Sequence, residues 1–401
     1  MIGNWKVGRN VVAKNKIQNR FVLINIAVLV SEFLVNSFAT IYILQKGVDY
    51  TQIGVIFMLF LLGQTLLEYP SGGLADKFGR RKIYAIGIFL TSISYGFILS
   101  KHSFFLLCLS YFLKGIGAAF ISGSLEAWLS CALKNNSEFN RIISIERLIE
   151  GISSFILPLV FLVVKIKNLD YVFMACLGIY LFLTIFVLSS LEENYGNRDN
   201  SIIEISKKGF VHLINNRQVM FIAGINIIAY LFFTIFLFVW QPLANMCKLG
   251  TDYFPTIYGV YLISSGVAAF YGRKWIDKNL NSNITRIAFT YIVSFILMLF
   301  AFNMENMGVL MVGMSVFGMG KGVVFMLVVS YINSNSPNDL KASIFSLVNV
   351  LATIVNLIMQ IVFGNIIDRF GLNIVLIIGL VLAFIWIVLT ILLRISKNNI
   401  V

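Results

Sequence analysis

The feature that most constrains this chain is a series of twelve apolar runs, each near the ~20 residues that a helix needs to cross a bilayer. Every backbone N–H and C=O in hydrocarbon needs a partner within the chain, and the runs lack the alternation of barrel strands. We therefore predict an all-α membrane protein with twelve transmembrane helices. The runs cover residues 21–44, 52–74, 83–100, 104–125, 143–164, 169–190, 218–243, 254–272, 284–302, 308–332, 343–365 and 373–393.

Composition excludes several classes of protein. The chain is 59% hydrophobic and 12% charged, whereas soluble domains carry roughly 25% charged residues. The formal charge of +13 is spread between the apolar runs and forms no basic patch, so no nucleic-acid partner is expected. The sequence has no nucleophile with its base, no metal-ligand cluster and no phosphate-binding glycine loop. We expect neither an enzyme nor a bound cofactor or metal.

The distribution of basic residues predicts the orientation. Of the 31 Lys and Arg residues, three fall well inside the runs and Arg286 lies at the edge of the ninth, while most of the others lie in loops on the side of the N-terminus. Basic residues accumulate in cytoplasmic loops, so both termini are predicted to be cytoplasmic, in a plasma or bacterial inner membrane. Only six lie in the opposite loops: Lys46, Lys101, Lys165, Lys167, Lys248 and Arg369.

A polar stretch in the middle of the chain predicts two halves. We expect one six-helix bundle over residues 1–190, a cytoplasmic linker over 191–217 with an amphipathic segment at 202–214, and a second bundle over 218–401. Gly115-Ile-Gly117 in the fourth run and Gly318-Met-Gly320 in the tenth occupy corresponding places. Such a repeat is expected when two halves of a transporter share one fold.

One loop carries a specific motif, between the second and third runs. It reads Gly72-Gly-Leu-Ala-Asp76-Lys77-Phe-Gly79-Arg80-Arg81, which matches the pattern G-x-x-x-D-[RK]-x-G-[RK]-[RK]. An ordinary basic cytoplasmic loop would require neither the aspartate nor the two spaced glycines. The chain therefore resembles the major facilitator superfamily, in particular its bacterial drug and metabolite exporters. The resemblance implies a cytoplasmic latch in which Asp76 faces a helix end in the other half and Arg80 pairs with an acid low on the fourth helix, for which Glu126 is the candidate.

Three ionisable residues fall near the middle of apolar runs: Glu32 in the first, Lys114 in the fourth and Lys321 in the tenth. Each costs ~2.5–3.5 kcal/mol there on insertion scales, so each should face a partner or a wet cavity. The resemblance places the first, fourth, seventh and tenth helices around a central cavity. Glu32 is then expected to bind a coupling proton, while a lysine meets an anionic group of the substrate. The alternative is a buried Glu32–Lys114 pair that fixes helix packing.

Polar side chains also form stripes at helical spacing. They line a transport path or join helices through hydrogen bonds, and the sequence leaves both interpretations open. The stripes are Ser346, Asn349, Thr353, Asn356 and Gln360 in the eleventh run, Asn25, Glu32 and Asn36 in the first, and Asn226, Tyr230 and Thr234 in the seventh.

From these features we expect a secondary transporter that works by alternating access and exports a small amphipathic molecule, driven by the proton gradient. Its expected partners are the substrate, protons and the lipid bilayer, and we expect a monomer. One alternative is an importer or facilitator of a sugar, an organic anion or another nutrient, with the lysines binding substrate and Glu32 as their counterion. Another is a non-transporting receptor or scaffold. The sequence hint for it is the loop at 272–278 in the second half, which matches the motif only in part.

Overall fold

The computed structural model describes residues 2–100, 103–133, 136–164, 166, 168–196, 210–247, 250–275, 280–337 and 341–398. These ranges are helical apart from short turns and connections, and they contain no strand. Residues 197–209, with much of the predicted linker, and residues 276–279 of the second-half loop lie outside the described residues. Of the predicted amphipathic segment, residues 210–214 are described, and they are helical.

The helices follow the predicted runs. In the described part of the chain, nine segments are long and apolar enough to cross a membrane, and α3, α6 and α13 carry the third, fifth and twelfth runs. The prediction of an all-α membrane protein with twelve transmembrane helices is therefore confirmed. The helices are α1 (Ile2–Gln45), α2 (Tyr50–Phe78), α3 (Arg80–Ile98), α4 (Phe104–Ile121), α5 (Ser124–Leu133), α6 (Asn136–Val163), α7 (Asp170–Ser190), α8 (Arg217–Met246), α9 (Phe254–Trp275), α10 (Leu280–Met304), α11 (Met307–Asn335), α12 (Lys341–Phe370) and α13 (Leu372–Asn398).

The fourth run differs from the prediction because its helix is interrupted. Gly123 has a φ of +71°, a left-handed conformation that favours glycine, and α4 ends just before it. A new helix, α5, then begins at Ser124. Glu126 consequently lies in the first turn of a separate helix and not at the lower end of α4.

Contacts divide the chain into two compact units. The first comprises Met1–Asn36, Leu59–Ser153 and Asn168–Asn200. The second comprises Ser37–Met58, Ser154–Lys167 and Ser201–Val401, so it includes the ends of α1 and α2 on either side of their connecting turn. The bundle boundaries at 190 and 218 stay predictions.

Glycines on α4 set the packing of the first unit. A Cβ atom at Gly115 would lie 2.1 Å from the carbonyl oxygen of Phe60 on α2, and one at Gly117 would lie 2.4 Å from Thr91 Oγ1 on α3. Only a residue without a side chain allows backbones this close, which is how small residues bring membrane helices together. The fourth transmembrane helix thereby packs against the second and the third.

The second unit repeats this arrangement. A Cβ atom at Gly318 on α11 would lie 2.4 Å from the carbonyl oxygen of Tyr261 on α9, and one at Gly320 would lie 2.9 Å from Thr290 Oγ1 on α10. Gly322 makes a still closer approach, 2.1 Å from the carbonyl oxygen of Ser265 on α9. The Gly-x-Gly repeat in the sequence thus corresponds to equivalent packing in the two units.

Candidate functional site

The first unit buries a cluster of charged and phenolic groups around Glu32. Lys114 Nζ on α4 lies 3.3 Å from Glu32 Oε2 on α1, and the hydroxyls of Tyr95 on α3 and Tyr180 on α7 each donate to Glu32 Oε1 at 3.3 Å. Both tyrosines and Lys114 are buried, whereas the side chain of Glu32 is 36% exposed. Four transmembrane helices therefore meet at one carboxylate.

This geometry is suited to a change of protonation. The Glu32 carboxylate accepts three hydrogen bonds, one of them from the Lys114 ammonium group. A proton on the carboxylate would remove its attraction for Lys114 and release a charged lysine inside the bilayer. The Glu32–Lys114 contact is consistent with both sequence alternatives, a coupling site and a structural ion pair, and proton binding at Glu32 stays a prediction.

The other two candidates on α1 lie on either side of Glu32. The Asn25 Nδ2 atom is buried and makes no hydrogen bond with a described residue. Asn36 is partly buried at the end of the first unit. The part of both asparagines in binding stays a prediction.

The second unit contains a cavity of about 260 Å³ between α8, α11 and α12. Lys321 is the one cation among the described residues that line it; its Nζ donates to Tyr261 Oη at 2.5 Å and lies 3.8 Å from the centre of the Phe233 ring. Asn226 Nδ2 donates to Asn349 Oδ1 at 3.1 Å across the same cavity wall. The lining residues are Asn226, Ala229, Tyr230, Phe233, Lys321, Val324, Phe325, Val328, Phe345 and Asn349.

Among the remaining polar residues of α12, Asn356 joins this helix to α8. The Thr234 hydroxyl donates to Asn356 Oδ1, and Asn356 is buried away from the cavity lining. Gln360 is also buried, and its Oε1 has no hydrogen-bond partner among the described residues. The stripe on α12 is thus divided, because Asn349 lines the cavity while Asn356 holds two helices together.

The loop between α2 and α3 forms a compact ionic cluster. Arg80 binds Asp76 Oδ1 through Nε at 3.0 Å and Nη2 at 2.8 Å, and Arg81 lies 3.4 Å from Glu193 Oε2. Gly79 has a φ of +109° and turns the chain between the two helices. Lys77 lies over the Phe78 ring, and a Cβ atom at Gly72 would meet no other atom within 4 Å. The motif therefore builds a tight turn within the first unit.

The predicted pairing of Arg80 with Glu126 is wrong. Arg80 Nη1 donates to the carbonyl oxygen of Ala127 at 2.8 Å, and Glu126 faces Arg147 on α6 at 3.8 Å. The break at Gly123 is the cause, since α5 begins after it and the carboxylate in the first turn of α5 lies against Arg147 of α6. Both Glu126 and Arg147 are well exposed, so this pair is weak.

Comparison with known proteins identifies the family. A family model described as "Major Facilitator Superfamily" matches residues 21–356. The chain belongs to the Major Facilitator Superfamily. It is accordingly a multi-pass membrane protein of a transporter family and not an enzyme.

Relatives within the superfamily agree with this assignment. The chain is 23% identical over 378 residues to the uncharacterized MFS-type transporter YxaM of Bacillus subtilis (strain 168), over 90% of this chain and 92% of YxaM. It is 31% identical over 81 residues to the quinolone resistance protein NorA of Staphylococcus aureus (strain N315), over 20% of this chain and 21% of NorA. The crystal structure of the nucleoside transporter NupG matches with a TM-score of 0.76 and 12% identity, over 94% of this chain and 97% of NupG, which shows the fold alone.

A second facilitator-like loop, between α12 and α13, was missed in the sequence. Asp368 accepts hydrogen bonds from the backbone N–H groups of Tyr50 at 2.9 Å and Thr51 at 2.7 Å, so it caps the first turn of α2. The signal was present, because Gly364-Asn-Ile-Ile-Asp368-Arg-Phe-Gly371 repeats the Gly-x-x-x-Asp-basic-x-Gly spacing of the first-half motif. Hence the two similar motifs lie in loops that the charge rule places on opposite sides of the membrane.

Sequence reasoning also missed Glu68. It lies in α2 within the span Tyr50–Glu68, its side chain is exposed, and it forms no ion pair with a described residue. The rule that selected Glu32, an ionisable residue in an apolar run, would have selected it as well. Glu68 is therefore a second carboxylate to test for proton binding.

Proposed function

We propose that the protein is a proton-coupled secondary transporter that works by alternating access and exports a small amphipathic molecule. The observation that carries the proposal is the Glu32–Lys114 ion pair, with two tyrosine hydroxyls on the same carboxylate, inside transmembrane helices. Ionisable residues in such positions are rare and usually belong to ion or proton pathways. The inward proton gradient is the proposed energy source.

Coupling follows because a proton competes with Lys114 for the Glu32 carboxylate. In the unprotonated state Lys114 and the tyrosines hold α1, α3, α4 and α7 together through one carboxylate. Protonation weakens that junction and changes the relative stability of the two access states, which is the requirement for any coupled shift of population. The similarity to NorA over 81 residues supports the outward direction. We propose that the monomer is the working unit and that both termini are cytoplasmic.

A second candidate function is supported by the same pair. Because Lys114 already neutralises Glu32, the pair is also consistent with a fixed structural junction in an importer or facilitator of a nutrient. In that case the carboxylate takes up no proton during transport, and the flux of substrate follows its own gradient.

Proton flux in proteoliposomes distinguishes the candidates. We would add a panel of amphipathic compounds to vesicles that carry a pH-sensitive dye and compare the parent chain with Glu32→Gln. Asp252→Asn, which removes a carboxylate from the turn before α9, is the matched control, and Glu68→Gln tests the other carboxylate in a span.

We expect compound-dependent proton movement in the parent and in Asp252→Asn, with a loss of at least about tenfold in Glu32→Gln. Equal proton movement in Glu32→Gln would reject Glu32 as the coupling group, and a loss confined to Glu68→Gln would move the site to α2. Substrate flux without proton movement in the parent would favour the facilitator. No flux of any compound would favour a receptor or scaffold.

A further inference from the structure

The second-unit cavity holds a positive charge that no described acidic residue balances. Lys321 donates to the Tyr261 hydroxyl and lies over the Phe233 ring, but no ion pair joins it to a described carboxylate. An ammonium group has three N–H donors, and Tyr261 accepts only one. A charged lysine within a span is costly unless it is neutralised, so an anion in the cavity would provide both the missing charge and the missing acceptors.

The two intramembrane lysines therefore differ in how their charges are balanced. Lys114 lies 3.3 Å from Glu32, so its charge is matched within the protein. Lys321 has an aromatic environment in place of an acid, and aromatic faces attract a cation without neutralising it. A negatively charged ligand is consequently favoured at Lys321 and disfavoured beside the Glu32 carboxylate.

The other lining residues indicate the size of such a ligand and the chemical character of its uncharged part. Tyr230, Phe233, Phe325 and Phe345 give the cavity four aromatic rings, which suit a flat apolar group. Asn349 uses its oxygen to accept from Asn226, so its amide nitrogen remains as a donor. The volume of about 260 Å³ is just below the ~300–1,000 Å³ of sites for drug-sized molecules, so the ligand is small.

We infer that this cavity binds a small aromatic monoanion, with its anionic group at Lys321 and Asn349 and its ring among the aromatic side chains. The inference rests on the proposed transport function and deepens it by naming the class of substrate. The described part of the lining contains one cation, Lys321, which sets the preferred charge at minus one.

Equilibrium binding to the purified protein in detergent tests this assignment. The probes are benzoate, its neutral analogue benzamide and the cation benzylammonium, which share one ring and differ in charge at neutral pH. Charge-assisted hydrogen bonds are about twice as strong as neutral ones, so calorimetry should find benzoate bound at least about tenfold more tightly than benzamide. Benzylammonium should bind weakest.

Variants test whether Lys321 causes the preference for benzoate over benzamide. Lys321→Met should bind benzoate no more tightly than benzamide, whereas Lys321→Arg should keep most of the preference because it keeps the charge. Lys46→Met is the matched control, because Lys46 also lies over an aromatic ring, 4.6 Å from the centre of Tyr42, but in the turn after α1. Asn349→Leu should weaken the binding of benzoate several-fold. This variant provides a second test if Lys321→Met does not fold.

Three results would overturn the inference: equal binding of benzoate and benzamide to the parent, a preference for benzoate that survives in Lys321→Met, or no binding of any probe. The assay uses no gradient, so it is independent of proton coupling, and benzoate should bind Glu32→Gln as it binds the parent. Binding without Glu32-dependent proton flux would reject the coupling proposal alone. Glu32-dependent flux without benzoate binding would reject the anion site alone.

Discussion

Removal of Lys114 should destabilise the first unit, and the structure bounds the size of the effect. Deleting one partner of a fully buried pair costs about 3–5 kcal/mol, whereas exposed pairs contribute at most about 1 kcal/mol. Lys114 is 10% exposed but Glu32 is 36% exposed, and two tyrosine hydroxyls would still bind the orphaned carboxylate. We therefore expect Lys114→Met to lower the free energy of unfolding by about 1–3 kcal/mol.

A double-mutant cycle separates this pair from its surroundings. Glu32→Gln, Lys114→Met and the double variant would be unfolded by titration with SDS in mixed micelles, with tryptophan fluorescence as the signal. The double variant should be less destabilised than the sum of the single variants by about 1–2 kcal/mol, because it leaves no uncompensated charge. Additivity within about 0.5 kcal/mol would refute the argument that the two charges are energetically coupled.

Three further predictions concern other parts of the chain. Gly322→Ala should lower the free energy of unfolding by about 1–3 kcal/mol in the same titration, because α9 and α11 must separate. The control Gly266→Ala, whose added Cβ would meet no atom within 4 Å, should be neutral or slightly stabilising. Equal effects of the two substitutions would contradict the close packing at Gly322. Asp368→Ala should cost about 0.5–2 kcal/mol through the lost cap of α2, and unchanged stability would show that the cap contributes nothing. Cys247 should react with a membrane-impermeant maleimide from outside intact cells. Burial and the nearby Glu305 raise the pKa of its thiol, so labelling should rise by up to about tenfold per pH unit above neutrality, and labelling only after permeabilisation would reverse the predicted orientation.

The transmembrane architecture was predictable because it depends on a local requirement. Each apolar run must satisfy its own backbone in lipid, so length and hydropathy alone determine that it is a helix. The break at Gly123 was not predictable in this way, because single glycines are common inside spans and only the left-handed conformation distinguishes this one. The error over Glu126 followed directly from that missed break.

The charged residues of the candidate site were predictable, but the tyrosines that contact them were not. An ionisable residue stands out in an apolar run, so Glu32 and Lys321 could be selected from the sequence. Tyr95, Tyr180 and Tyr261 are ordinary residues of apolar helices, and their contacts depend on how each helix is rotated about its axis. Hydrophobic composition alone sets that rotation poorly in lipid, where small residues and hydrogen bonds determine packing.

Glu32 is proposed to couple substrate movement to protons, and a comparison of substrate exchange with substrate accumulation tests this role most directly. In proteoliposomes, Glu32→Gln would be compared with the parent for substrate counterflow without a pH gradient and for accumulation driven by an imposed one. We expect that the variant keeps counterflow within about threefold of the parent and loses gradient-driven accumulation. Accumulation equal to that of the parent would contradict it and leave the Glu32–Lys114 pair as a structural junction.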